Sequence, residues 1–199
     1  MLEPRIQQHF FESADLMYQV SEHLSRAILD GANAAVGCLT SGNKLLVGGQ
    51  GAGQQLANLM CAALLQGFER ERPALSALPL NASLISPLAT DAANPAAVHG
   101  VVTQIRALGH PGDLLVVFCP AGADVAWQAA IDEAHAKDMT VLLLSGPAPG
   151  DLPGRLLDTD VWIGVPHERP ARVLELQLLA LHALCDAIDM QLMGEADPA

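Results

Sequence analysis

Two loops rich in small residues are the part of the chain best suited to chemistry. One runs from Gly48 to Gly53 and the other from Cys119 to Asp124, and each precedes a segment of helical period. Backbone amides at such a helix start can bind an anion, because the free N–H groups and the helix dipole both favour negative charge. The candidate ligand-binding residues are Gly49, Gln50, Gly51, Gly53, Cys119, Gly122 and Asp124.

The glycine spacing of the first loop is not that of a dinucleotide site. Its pattern is Gly49-x-Gly51-x-Gly53, whereas the nucleotide fingerprint is G-x-G-x-x-G, and the second apolar run ends at Asn81 rather than at an acid for a ribose. A tight turn with positive φ also requires glycine, with or without a ligand. The sequence therefore predicts no nicotinamide, flavin or other cofactor.

Five short apolar runs alternate with segments of helical period and must position these loops. Continuous apolar runs are typical of strands covered on both faces, and long connections between them favour parallel pairing. We predict strands at 44–48, 75–80, 114–119, 140–144 and 161–165, with a loop at 81–94 that enters a helix. This pattern predicts an α/β fold, a doubly wound five-stranded parallel sheet in the flavodoxin-like order 2-1-3-4-5, whose first and third strands end at one crevice.

Helical segments flank the predicted sheet at both ends of the chain. About forty residues before the first strand predict a helical arm that breaks near Gly31. The last helix, predicted at 171–193, is apolar nearly all round, and one sheet face covers only one side of a helix. We therefore expect it to join subunits, together with the arm around 17–28. The predicted interface residues on the last helix are Leu174, Leu178, Leu181, Ile188 and Leu192.

Composition restricts the class of protein further. The 199 residues carry a formal net charge of −12 and are 51% hydrophobic, which excludes intrinsic disorder and disfavours direct binding to nucleic acid. Neither a signal peptide nor a membrane-spanning run is visible, so we expect a cytoplasmic protein. The four cysteines and seven histidines lack metal-ligand spacing, which predicts reduced thiols and no metal site. Cys119 is interpreted as a buried thiol rather than a nucleophile.

Both loops and three further stretches resemble the sugar isomerase (SIS) domain family, in the branch of phosphoheptose isomerases and DnaA initiator-associating proteins (DiaA). The further stretches are Glu69 to Pro73 with the following 75–81, Arg106 to Asp113 (RALGHPGD), and Arg172 to Asp189, which ends in LCDAID. The last two look closer to the DnaA-binding members. The resemblance implies one SIS domain over 1–199, with a helical arm at 1–41, the sheet core at 42–168 and an interface helix at 169–193.

The chain departs from this family in both loops. The resemblance implies hydroxyl side chains in the second loop and a serine that closes the first, all binding a sugar phosphate. Here the second loop has none from Cys119 to Asp124, and Gly53 replaces the serine. Three lost hydrogen bonds to a charged group, at about 1.5 kcal/mol each, weaken binding roughly a thousandfold or more. We interpret Asp124 as a helix N-cap that takes the place of the anion.

The proton-transfer pair that the resemblance implies is also missing. An alignment without gaps places the isomerase glutamate at Ala62 or Ala63 and the isomerase histidine at Gln177. Neither an alanine nor an amide can take and return a proton. Because general acid or base help contributes about a hundredfold to ten-thousandfold per group, isomerase activity is not expected.

Other polar residues near these positions have structural interpretations. Glu175 and His182 share a face of the last helix, but Glu175 is three residues from Arg172 and can pair with it. His182 is interpreted as a satisfied residue of a core or an interface. The mixed charges at 69–72 are typical of a solvated turn.

These observations predict a non-catalytic, oligomeric SIS protein that regulates replication initiation by binding another protein. The replication initiator DnaA is a partner that the resemblance alone implies. Two alternatives remain: a phosphoheptose (sedoheptulose 7-phosphate) isomerase-like enzyme, and a sensor of a less charged sugar derivative. The other expected partner is a second copy of the chain, as a dimer or a homotetramer, with weak or no sugar-phosphate binding and no direct contact with nucleic acid or membrane.

Overall fold

The structure of the chain, a computed structural model, describes residues 2–81, 96–122, 125–147 and 152–194. Its helices are α1 (Leu2–Thr40), α2 (Gly53–Gln66), α3 (Ala96–Leu108), α4 (Val125–His135) and α5 (Pro170–Met193), with a 3-10 turn at Pro153–Arg155. Its strands are β1 (Leu45–Gly49), β2 (Ala77–Pro79), β3 (Leu114–Cys119), β4 (Thr140–Ser145) and β5 (Val161–Gly164). Most of the predicted loop at 81–94 lies outside the described residues.

The five strands form one parallel sheet in the order β2-β1-β3-β4-β5. The predicted α/β fold class and strand order are therefore confirmed. The predicted strand at 75–80 is shorter in the structure, since the Leu75 N–H donates to the Leu64 carbonyl of α2 and only three residues pair with β1. No helix among the described residues is both long and apolar enough to cross a bilayer.

Alternate residues of each strand pack against different helices. In β3, Leu114, Val116 and Phe118 join the core under α1, α2 and α5. Leu115, Val117 and Cys119 point into a second core under α3 and α4. Both faces of the sheet are thus covered, which explains why the strands are apolar without interruption.

The predicted break near Gly31 is wrong, because α1 is continuous from Leu2 to Thr40. Gly31 is buried, and a Cβ atom there would lie 3.1 Å from Cδ1 of Leu142 and 3.2 Å from Cδ2 of Leu184. Its small size lets α1 approach β4 and α5 closely. Sequence alone could not distinguish this packing role from a turn.

The long first helix also changes the interpretation of α5. Leu181 and Ile188 are fully buried in the chain's own core, to which α1 contributes Val20 and Leu24. Their predicted interface role is therefore wrong, because α1 and the sheet already cover that side of α5. The remaining predicted interface residues differ in burial: Leu178 is exposed, whereas Leu174 and Leu192 are half-buried.

Two family-like stretches contain buried ion pairs that hold elements together. Arg72 Nε donates to Asp189 Oδ1 at 2.5 Å, while its Nη atoms donate to the last carbonyls of α2. Both side chains are almost wholly buried, so the prediction of a solvated turn is wrong for Arg72. Asp113 accepts hydrogen bonds from the backbone and Nζ of Lys44 and from the backbone of His110. These contacts fix α2 to α5 and the start of β1 to the turn before β3.

Candidate functional site

The two small-residue loops meet at the carboxyl ends of β1 and β3. The Gln50 N–H donates to the Phe118 carbonyl at 2.9 Å, which ties the first loop to the end of β3. Doubly wound folds bind their ligands at this carboxyl end of the strands. The structure therefore brings the two predicted loops together at one crevice.

Two glycines of the first loop are required by close packing. A Cβ atom on Gly49 would lie 2.4 Å from the backbone carbon of Gly53 and 2.8 Å from the Phe118 carbonyl oxygen. A Cβ on Gly53 would lie 2.2 Å from that same oxygen and 3.0 Å from Cδ of Pro120. Side chains at these positions therefore have no room, and no hydroxyl fits where the family serine is implied.

The remaining glycine of the loop serves a turn. Gly51 has φ +55°, with open space around its Cα, so its backbone conformation rather than crowding favours glycine. The amides that follow are engaged locally: those of Gly53, Gln54 and Gln55 donate to carbonyls three residues earlier. The first turn of α2 thus uses three of the N–H groups that an anion would need.

The second loop contributes to an open cleft whose surface is partly polar. Cys119 is fully buried on the α3 and α4 side of the sheet, as predicted for a structural thiol. The cleft beyond it measures about 130 Å³. Its lining consists of Pro120, Ala121, Gly122, Gly146, Pro147, His167, Glu168 and Pro170. Asp124, the predicted N-cap, lies outside the described residues.

His167 and Glu168 are cleft residues that the sequence analysis missed. Nδ1 of His167 accepts a hydrogen bond from the Arg169 backbone N–H at 3.0 Å, so its Nε2 carries the proton when the ring is neutral. Both residues follow β5 and therefore lie at the same carboxyl end of the parallel strands as the loops after β1 and β3. That strand-end position was the available signal.

The positions aligned with the isomerase acid and base do not share an accessible surface. Ala62 is exposed and Ala63 half-buried on α2. Gln177 is completely buried in α5, and its Nε2 and Oε1 atoms have no hydrogen-bond partner among the described residues. A side chain at position 177 therefore does not reach a ligand in the crevice.

The two polar residues that share a face of α5 have different surroundings. Glu175 accepts hydrogen bonds from Ser13 and Arg172, as expected for the arginine. Partial burial opposes ionisation of Glu175, but these two hydrogen bonds outweigh it and lower the pKa of the carboxyl. His182 is half-buried, and its ring lies 5.4 Å from that of Phe68. It is thus an imidazole on α5 that solvent can reach.

Metal binding has no geometric support in the described part of the chain. Among those residues, no three His, Cys, Asp or Glu side chains come close enough together to hold an ion. The crevice instead combines backbone turns, small side chains, one imidazole and one carboxylate. A carboxylate in the lining disfavours a phosphate there.

Comparison with known proteins decides the family. The SIS domain family model matches residues 8–146. The chain belongs to the SIS domain family. This result confirms the resemblance seen in the loops and in the stretches after them.

Relatives from both branches align with the SIS chain over nearly its whole length. It is 48% identical to a phosphoheptose isomerase of Methylibium petroleiphilum, over 99% of this chain and 98% of that protein. It is 37% identical to the DnaA initiator-associating protein DiaA of Yersinia enterocolitica, over 97% and 98% respectively. The solved structure of a phosphoheptose isomerase from Francisella tularensis superposes with a TM-score of 0.87 at 31% identity, covering 96% of this chain and 99% of that one. The chain is thus a phosphoheptose isomerase-like SIS protein.

Proposed function

We propose that this SIS protein is a non-catalytic regulator that binds another protein, with DnaA as the partner and replication initiation in the cytoplasm as the setting. The observation that carries the proposal is the close approach of Gly53 in the first loop to the end of β3, where the Phe118 carbonyl occupies the space of a side chain. A phosphate-binding crevice needs hydrogen-bond donors on its walls. Neither loop contains a serine or threonine, and the first packs against the end of β3 with no room for a side chain at position 53.

The lack of a proton-transfer pair at the aligned positions also supports this proposal. Ala62 and Ala63 carry no ionisable group, and Gln177 is an amide enclosed in the core. Isomerisation between an aldose and a ketose requires a group that removes a proton and one that returns it. The likeness to the DiaA of Yersinia enterocolitica is the reason to name DnaA.

Two assays test this function. Sedoheptulose 7-phosphate is supplied to the full chain, with and without divalent metal, beside the Francisella tularensis isomerase as a positive control. We expect no turnover by this chain. In a pull-down, the immobilised chain should retain the DnaA of its own organism, and failure of the intact oligomer to do so contradicts the proposed partner.

An enzymatic alternative is favoured by one residue, His182. It is half-buried on α5, among the described residues no hydrogen bond to its ring occurs, and a histidine can act as a general base near neutral pH. The high identity to a named phosphoheptose isomerase adds weight. Turnover that the His182→Gln variant loses and the Phe68→Leu variant keeps establishes this alternative and removes the non-catalytic proposal.

We also propose that the protein assembles with copies of itself through α1. The first half of this helix exposes five large apolar side chains: Leu2, Ile6, Phe10, Phe11 and Tyr18. The chain has only seven aromatic residues, and three of them lie here with 66% or more of their surface exposed. Solvated aromatic surface of this extent is typical of an interface. Leu178 and Leu179 expose a further apolar area on α5.

Sedimentation of two single variants tests this assembly. Phe10→Asp places a charge in the aromatic surface and should dissociate the oligomer. Asn33→Asp, at an exposed polar position of the same helix outside the arm around 17–28, is the matched control and should leave it intact. If both variants sediment as the unaltered protein does, α1 is not the interface.

A further inference from the structure

A second cleft, which we call the arm cleft, lies where the start of α1 meets the start of α5. In the single chain it is open to solvent and measures about 170 Å³. The residues that line it are Arg5, Gln8, His9, Glu12 and Arg169.

The arm cleft is a positive site on a strongly negative protein. Arg5, Arg169 and the adjoining Arg172 are three of only ten basic residues in a chain of net charge −12. Two carboxylates, Glu12 and Glu175, face them, which leaves a local charge of +1 when the histidine is neutral. Positive charge concentrated against the overall sign attracts an anion to this place.

The acid in the cleft is already neutralised by arginines. Glu12 lies 3.1 Å from Arg169 and 3.4 Å from Arg172. Desolvation opposes its ionisation, but the hydrogen bond from Arg172 and the charge of Arg169 outweigh that effect and lower its pKa. Glu12 therefore acts as a fixed partner of these two guanidinium groups, and Arg5 has no hydrogen bond to any described residue.

The histidine of the cleft is oriented as a donor. Nη2 of Arg172 donates to Nδ1 of His9 at 2.8 Å, and a guanidinium has no acceptor, so Nδ1 must accept. The proton of the neutral ring is then on Nε2. Arg172 is nearly buried, and its Nε has no partner among the described residues. The arginine side chain is thus held in place mainly by its two Nη atoms.

We propose that the arm cleft binds the phosphate group of a small anionic metabolite. Donors come from the guanidinium groups of Arg5 and Arg169 and from the His9 ring, whereas the Gln8 amide already bonds to Glu12. A phosphate group has three oxygens to accept such donors where a carboxylate has two. Forked guanidinium donors match phosphate geometry well. The site is separate from the crevice between the glycine loops, whose cleft is lined by one imidazole, that of His167, and by no guanidinium or amide side chain.

Calorimetric titration of the full chain with inorganic phosphate tests the proposal. At constant ionic strength, phosphate should bind saturably, and acetate much more weakly. Arg5→Gln and Arg169→Gln should each weaken binding about tenfold or more, because each removes charge-assisted hydrogen bonds. Arg5 has no described partner and Arg169 has only a surface ion pair, so both variants are expected to fold.

Two control variants locate the bound ion. Arg26→Gln removes an exposed arginine from another part of α1 and should not change the affinity. Ala121→Asp places a negative charge in the crevice cleft and should also leave it unchanged. Loss of binding in Ala121→Asp with retention in Arg5→Gln would place the ion in the crevice and overturn the proposal. Equal binding of acetate, or no saturable binding at millimolar phosphate, overturns it as well.

Discussion

Restoring the serine that the family resemblance implies at position 53 should destabilise the protein. A side chain there begins with a Cβ atom 2.2 Å from the Phe118 carbonyl oxygen and 2.9 Å from its carbon. These are backbone atoms of β3, which pairs with β1 on one side and β4 on the other. The obstacle therefore cannot turn away as a flexible side chain would.

The magnitude follows from two opposing effects. Overpacking of a tight interior costs about 1–3 kcal/mol, and a fixed backbone obstacle places Gly53→Ser at the upper end, about 3 kcal/mol. Replacing a helical glycine by serine stabilises the helix by about 0.5 kcal/mol, which offsets part of this cost. The expected net loss is about 2.5 kcal/mol in the free energy of unfolding.

Urea unfolding measures this loss directly. With an m-value of about 2 kcal/mol per molar, the midpoint of Gly53→Ser should fall by roughly 1 M. Ala52→Ser is the matched control, because it adds the same hydroxyl one residue earlier at an exposed position. Its stability should not fall, because position 52 is the N-cap of α2, where serine is favoured over alanine.

The same variant also tests the functional argument. In an Arg5→Gln background, which removes the arm cleft's contribution, Gly53→Ser should gain no affinity for a phosphate ester. If Gly53→Ser is as stable as the unaltered chain, Gly53 does not approach the Phe118 carbonyl this closely in solution, and the argument from crowding is wrong. If it gains phosphate-ester binding, the crevice retains the family's anion site.

Three further outcomes rest on buried groups. Gln177→Met should raise the free energy of unfolding by about 1–3 kcal/mol, since it removes two buried amide atoms without partners; an unchanged urea midpoint would contradict this. Asp189→Ala should lower it by about 3–5 kcal/mol, because Arg72 is left buried and unpaired, whereas the double change Arg72→Met with Asp189→Leu should cost less in the same assay. Burial raises the pKa of Cys61 and Cys185 to about 12, so iodoacetamide at pH 8 should label neither thiol in the folded protein, as mass spectrometry can verify; rapid labelling would show that these thiols are accessible.

The sequence predicted the centre of the sheet well because the central strands are buried on both faces. Continuous apolar runs then give a signal at β1, β3 and β4 that needs no knowledge of neighbours. β2 lies at the edge of the sheet, and its predicted run was too long because the end of α2 uses the Leu75 amide. Strand order and the place of the crevice follow from the parallel topology.

Properties that depend on distant partners could not be predicted in this way. The Arg72–Asp189 ion pair joins residues 117 positions apart, so the charges at 69–72 looked solvated. Leu181 looked available to another subunit because nothing local showed that α1 would cover it. Gln177 was treated as an accessible position because helical periodicity does not give the depth of a side chain. Periodicity describes one segment at a time, and each of these properties belongs to two segments.

The placement of the family-like stretches bears on which surface recognises a partner. Asp113 of the RALGHPGD stretch precedes β3, at the amino end of the strands, whereas the crevice lies at their carboxyl end. Its carboxylate is buried against Lys44. Asp189 of the LCDAID stretch is buried against Arg72. These side chains hold the fold together and are not available to another protein. Partner recognition therefore has to depend on exposed residues, and the RALGHPGD stretch offers two of them, Arg106 and His110.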